Sequence, residues 1–283
     1  MKRVVTFGEA MLRLSPPGHT RLEQASLFEV KVGGAELNVA AGLARIGIAS
    51  AFLTALPDNP LGRLASAEVR RAGVDDGLII WRSEGRMGSY FVEFGASPRP
   101  SRVVYDRSGS ALSMLGAGDI DWKKLFKGFG HFHTTGITPA LSNGCLKLTG
   151  TALAEAKSSD LSTSFDLNYR VGLWSEEKAR RALTPMMANV DHLLTTEEDT
   201  WRVFRIKGDG YEEVARKLVK KFGFVSTAIT LREDVSVLRN RWTAIAWDGQ
   251  TIYSDRVYDV EVIDRVGSGD AFTAGYIYGV LSN

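Results

Sequence analysis

Short apolar runs alternate with amphipathic stretches along most of this chain. "VVTFG" (4–8) reads as a buried strand closed by glycine. "AELNVAAGLARIG" (35–47) reads as a helix with Leu37, Ala40, Ala41 and Ala44 on one face and Gly47 at its stop. "AFLTAL" (51–56) is strand-like, and "NPLGRLASAEVRRAG" (59–73) is a helix ended by Gly73. The alternation returns in "STSFDLN" (162–168), "SEEKARRALTPMMANV" (175–190), "DHLLTT" (191–196), "GYEEVARKLVKKFG" (210–223) and "VSTAITL" (225–231). Strands separated by helices of this length need crossover connections, which predicts an α/β fold with a largely parallel sheet.

One region departs from the pattern. Residues 78–107 hold "LIIW", "GSYFVEFG" and "RVVYD" with no helix between them, and "FEVKVGG" (28–34) is another isolated strand-like piece. These segments predict a small β-sheet lid on the α/β body, within a single domain over residues 1–283. No fixed-period repeat or low-complexity linker divides the chain.

Composition narrows the class of partner. The chain has 283 residues, 44% of them hydrophobic and 24% charged, which suits a globular protein with a sizeable core. A net charge of only +2, with no long basic run, argues against nucleic acid. The apolar stretch after Lys2 and Arg3 is too short for a signal peptide, and Leu37–Leu56 is interrupted by Asn38, Arg45 and glycines, which argues against a membrane. The single cysteine, Cys145, allows no internal disulfide and fits a reducing compartment, so a cytoplasmic protein is expected.

Candidate chemistry is concentrated in "VIDRVGSGDAFTAG" (262–275), where small residues stand against the start of a predicted helix. Exposed amides at a helix entrance favour an anion, whereas Asp270 is itself negative. As structure alone, Gly267 and Gly269 would permit a tight turn and Asp270 would complement the helix dipole. As chemistry, the amides would stabilise a transferring phosphoryl group while Asp270 took the proton from an attacking hydroxyl. No G-x-x-x-x-G-K-[ST] sequence occurs, nor the H-R-D and D-F-G elements of protein kinases. His131 and His133 would share one face of a strand without a third metal ligand nearby, Cys145 reads as a small hydrophobe in a helix, and no zinc-binding spacing is present.

Two segments carry a resemblance. "VGGAELNVAAGLARIG" (32–47) is similar to the N-terminal signature of the PfkB (ribokinase-like) carbohydrate kinases, and "DRVGSGDAFTAG" (264–275) to their C-terminal D-T-x-G-A-G-D signature. "FGEAMLRLSPP" (7–17), "FDLNYRVGLW" (165–174), "LLTTEED" (193–199) and "ITLREDVS" (229–236) resemble the 2-keto-3-deoxygluconate kinase branch. The resemblance implies a three-layer ribokinase-like fold and ATP-dependent, Mg2+-assisted phosphorylation of a sugar-acid hydroxyl, and it admits a monovalent cation. It implies Asp270 as general base and an anion hole from Gly267, Ser268 and Gly269. Substrate contacts would come from Gly34, Asn38, Tyr90, Tyr105, Arg107 and Arg170. Nucleotide contacts would come from Asn168, Arg170, Thr196, Thr230, Arg232, Ser236, Gly267 and Gly269.

The residues offer a reason of their own for an acidic sugar. A carboxylate is suited to the planar fork of arginine, and Arg107 and Arg170 follow strand-like segments, with Tyr90 and Tyr105 on the expected lid. Taken without the resemblance, each reads sooner as a surface ion-pair partner or a core aromatic.

The chain departs from the family in two respects. Thr196 and Asp199 stand where many members have Asn-x-x-Glu, so a metal would meet the shorter Asp199, directly or through water. The chain also ends at Asn283, where relatives continue into further helices around the nucleotide. A kinase for a neutral sugar such as ribose or fructose, or a non-catalytic sugar- or nucleotide-binding relative, are the alternatives. Exposed lid edges further predict a homo-oligomer.

Overall fold

The computed structural model describes residues 2–282. Its first part runs β1 (Val4–Phe7), β2 (Met11–Ser15), β3 (Glu29–Gly33), α1 (Ala35–Arg45), β4 (Ser50–Pro57), α2 (Pro60–Arg71), β5 (Ile79–Arg82), β6 (Gly88–Glu93) and β7 (Arg102–Asp106). The middle holds α3 (Trp122–Leu125), β8 (His131–Thr135), α4 (Asn143–Ser158), β9 (Ser162–Asp166), α5 (Glu176–Met186), β10 (His192–Thr196), α6 (Glu197–Phe204) and α7 (Tyr211–Phe222). The chain finishes with β11 (Ser226–Ser236), β12 (Arg239–Trp247), β13 (Ile252–Ser254), β14 (Tyr258–Glu261) and α8 (Ser268–Ser282).

A 10-stranded sheet in the order β13-β12-β11-β10-β9-β8-β1-β4-β5, with β14 also on β12, forms the body. From β5 to β11 every neighbouring pair is parallel, and β12 to β14 add antiparallel strands at one edge. The central strands read as continuous apolar runs because both faces are covered. In β4, Leu53 and Ala55 join the core shared with α4, α5 and α7, whereas Phe52 and Leu56 join the core beneath α1 and α2. This two-residue period produces the three layers expected of the ribokinase-like fold. Helix starts are set by local chemistry: Asn59 accepts from the Leu61 and Gly62 amides with Pro60 next, Ser142 accepts from Cys145, and Thr196 accepts from Asp199.

The face beneath α1 also carries the contact that places the site. Helices α1 and α8 cross at Gly42 and Ala274, so closely that a Cβ on Gly42 would lie 2.7 Å from the Ala274 Cβ. Val39, Leu43, Ala274 and Ile277 fill the seam. One turn back along each helix stand Asn38 and Asp270.

The second sheet is 4-stranded, in the order β3-β2-β6-β7. Its membership corrects the expected lid boundaries of 28–34 and 78–107. "LIIW" does not belong to it: β5 pairs in parallel with β4 from Thr54–Ile79 to Pro57–Arg82 at the edge of the body. In its place the small sheet takes Met11–Ser15, which pairs antiparallel with β3 and parallel with β6. On α1, Ala41 and Ala44 are only partly buried, while Val39 and Leu43 are covered as deeply as Ala40, because α8 closes a second side of the helix.

Candidate active site

Parallel strands aim their carboxyl ends at one edge of a sheet, and ligand sites gather there. A cavity of about 610 Å3 opens at that edge, between the body and the small sheet. Gly34, Asn38, Tyr90, Tyr105, Arg107, Asn168, Arg170, Thr196, Asp199, Thr230, Arg232 and residues 267–270 all line it.

Asp270 lies in the first turn of α8. The first bond of the helix runs from the Ala271 amide to the Gly267 carbonyl at 2.9 Å, which leaves the preceding amides directed out of the helix end. Gly267 has φ +89°, a conformation suited to glycine, and it bends the chain into that end. The Asn38 side-chain amide donates to Asp270 Oδ2 at 2.7 Å, in register with the Gly42–Ala274 contact. Burial pushes the Asp270 carboxyl up to about 6, against the opposing pull of the Asn38 hydrogen bond and the Arg170 charge.

Two further acids share this end of the cavity. Asp199 sits in the first turn of α6, accepts from the Tyr169 amide at 3.2 Å, and is raised to about 6, chiefly by burial. Asp166 closes β9, and burial, followed by the charges of Asp270 and Asp199, carries it up to about 8. The positive charge of Arg170 opposes all three shifts. One cation among three acids leaves an excess of negative charge suited to a divalent ion. Among the described residues no group of three His, Cys, Asp or Glu side chains is arranged to hold a metal unaided.

The small sheet supplies a further part of the lining. Tyr90 is buried and its hydroxyl is pushed up to about 12 by that burial, while Tyr105 stacks on it with ring centroids 5.8 Å apart. Arg107 follows β7 and forms a buried ion pair with Glu9. Gly34 is required by close approach, since a Cβ there would meet the Glu9 carbonyl oxygen at 2.0 Å. A second cavity of about 620 Å3 adjoins the first and shares Tyr105, Arg107, Arg170, Glu198 and Asp199 with it.

Ser236 is the expected site residue that does not reach the cavity. Strand β11 runs on past Thr230 into a hairpin with β12, and six extended residues carry Ser236 roughly 20 Å further along. There its hydroxyl accepts from the Leu238 amide at 3.3 Å. Arg232 lines the cavity while its Nε lies 3.3 Å from Asp234.

Asp166 is the residue that the sequence reading passed over. Its signal was its place as the last residue of a strand, two before Asn168, which takes φ +38° to turn the chain across the cavity. His131 and His133 do share a strand face, and both bond the Ser164 hydroxyl at 2.8 Å inside the body. Cys145 is buried against the Leu112 carbonyl at 3.3 Å.

A large parallel sheet between two helix layers, with a small second sheet over a cavity at its carboxyl edge, defines the ribokinase-like class. The chain matches the pfkB family carbohydrate kinases over residues 1–283 and belongs to that family. It is a sugar kinase. It is 37% identical to the 2-dehydro-3-deoxygalactonokinase of Haloferax volcanii, over 97% of this chain and 83% of that protein. It is 28% identical to the 2-dehydro-3-deoxygluconokinase of Bacillus subtilis, over 98% of this chain and 82% of the relative. The crystal structure of the 2-dehydro-3-deoxygluconokinase of Thermotoga maritima superposes with a TM-score of 0.97 at 42% identity, covering 100% of this chain and 88% of that one. Among the described residues no helix is long and apolar enough to cross a membrane.

Proposed function

We propose that the protein transfers the γ-phosphoryl group of ATP to the terminal hydroxyl of 2-keto-3-deoxygluconate or its galactonate epimer. The observation that carries the reading is the joint lining of one cavity: a raised carboxyl beside outward-facing amides from the body, and arginine with stacked tyrosines from the small sheet.

Asp270 is the general base. It takes the proton of the terminal hydroxyl as that oxygen forms its bond to phosphorus and the bond from phosphorus to ADP breaks. The amides of Gly267, Ser268 and Gly269 hold the negative charge on the phosphoryl oxygens. Asn38 keeps the reacting face of Asp270 turned toward the sugar. Arg107 and Arg170 receive the substrate carboxylate, Tyr90 and Tyr105 cover the sugar, and Gly34 lets it approach the backbone. Asn168, Thr196, Thr230 and Arg232 belong to the nucleotide side. The excess acid at this end suits Mg2+, which when bound with the nucleotide neutralises phosphate charge, and Asp199 and Asp166 are the carboxylates that would hold it.

A coupled ADP-release assay over both keto-deoxy acids, ribose and fructose, with and without Mg2+, tests the reading. Mg2+-dependent turnover of a keto-deoxy acid well above the neutral sugars is expected. Preference for a neutral sugar, or the absence of turnover, would overturn it.

A further inference from the structure

Glu9 stands on the turn between β1 and β2 and does not line the cavity. Its side chain is 3% exposed, and among the described residues its carboxylate takes hydrogen bonds from Arg107 alone. Both Nε and Nη2 of Arg107 donate to one oxygen, Glu9 Oε2, the former at 2.8 Å. The other oxygen, Oε1, is buried against Gly88, where a Cβ would come within 3.0 Å of it. The acid is therefore held in place by packing, and its bonding is spent on a single partner.

A guanidinium presents five N–H groups in one plane. Glu9 occupies the side edge formed by Nε and the nearer Nη2 hydrogen. The end-on edge, made of one Nη1 hydrogen and the outer Nη2 hydrogen, has no protein partner among the described residues. That edge has the spacing that binds a carboxylate through two parallel bonds. The Tyr105 ring lies 5.6 Å from the guanidinium carbon and covers one face of the plane. Released from Glu9, the same side chain would be drawn to Asp106, Glu198 or Asp199, acids that line the adjoining cavity with it.

We propose that Glu9 is a positioning residue that aims the end-on fork of Arg107 at the carboxylate of the sugar acid. The inference rests on the role given to Arg107 above. It makes selectivity for an acid over a neutral sugar a property of the pair, with one member hidden from the substrate.

The test compares Glu9→Gln, Glu9→Asp, Arg107→Ala and the double variant Glu9→Gln/Arg107→Ala, each checked for a native melting transition. Binding and turnover are measured with 2-keto-3-deoxygluconate and with the 3-deoxyhexulose whose hydroxymethyl group replaces the carboxylate. Glu9→Gln should raise KM for the acid about tenfold, with kcat and KM for ATP within twofold. Its binding of the hexulose should stay within twofold of the parent protein, and Glu9→Asp, being too short to reach, should behave like Glu9→Gln. In the Arg107→Ala background, Glu9→Gln should cost nothing further. Equal losses on both ligands, or the same loss with and without Arg107, would make Glu9 a merely structural residue and overturn the proposal. If Arg107→Ala leaves acid binding unchanged, it is the carboxylate role of Arg107 that fails, an outcome distinct from failure at Glu9 alone.

Discussion

The two sheets of this kinase hold their site residues by different means. In the body, Asp270, Asn168 and the amides of 267–269 are placed by backbone: a helix end, a left-handed residue after a strand, and a glycine at positive φ. In the small sheet, Tyr90 on β6, Tyr105 on β7 and Arg107 just after β7 are placed by side-chain contacts, and every residue of β7 is exposed. Backbone placement tolerates little change and suits chemistry common to many substrates. Side-chain placement can be re-specified residue by residue, which suits the choice of sugar. Damage to the body should therefore remove turnover, and damage to the small sheet should redirect it.

The sharpest test on the body side is Asp270→Asn. Loss of the base should lower kcat by about 10²–10⁴ with ATP binding retained, read by coupled ADP release and by calorimetry. Near-normal turnover would remove Asp270 from its role. On the small-sheet side, Arg107→Ala should raise KM for the sugar acid by roughly 10–100-fold, the worth of a charge-assisted bond of about 1.5–3 kcal/mol, with a smaller change in kcat. A change in kcat alone would erase the contrast between the sheets. Next in size, Gly42→Val pushes a side chain into Ala274 across the α1–α8 seam. It should cost about 1–3 kcal/mol in chemical denaturation, and it should lower kcat more than it raises KM because it shifts Asn38 against Asp270.

The pH responses are smaller and differ in sign. As the proposed base, Asp270 acts only when ionised, so kcat/KM should rise with pH through about 6 and level off above it. Stability follows the difference in bound protons. Asp166 holds its proton more tightly in the fold than in the unfolded chain, so it costs stability as pH rises from 3.8 through about 8. Asp166→Asn should therefore raise Tm at pH 8–9 while impairing turnover. Burial lowers His133 to about 3 from 6.5, so its contribution is complete above 6.5 and is lost as pH falls toward 3. Melting curves across that range should show the decline, and a flat profile would contradict it.

The body was the more legible region in the sequence for the same reason that it is rigid. Strands covered on both faces become unbroken apolar runs, and the helices between them carry their own caps, such as Asn59 and Thr196. The small sheet was harder to read because neighbours in sequence are not neighbours in space. "LIIW" lies beside "GSYFVEFG" in the chain yet joins β4, whereas Met11–Ser15 pairs with β6 across the intervening α1, β4 and α2. At the site, glycines and residues at strand ends were visible as local signals. Glu9 was not, because a buried acid is explained only by the arginine that reaches it from 98 positions away. Ser236 lies away from the cavity lining because β11 outruns it, and nothing local in the sequence marks where a strand does so.

Glu36 occupies the first turn of α1, fully enclosed, and its Oε1 accepts from the Thr135 amide and from the Thr135 and Thr138 hydroxyls. Its carboxylate also presses on Gly8, where a Cβ would come within 2.1 Å of it. The two chain segments that carry β2 and β3 out of the body, at Gly8–Ala10 and Gly33–Gly34, thus leave from either side of one clamped acid. Two of the small sheet's four connections to the body are therefore fixed beside the same buried acid, like two hinges on a single post.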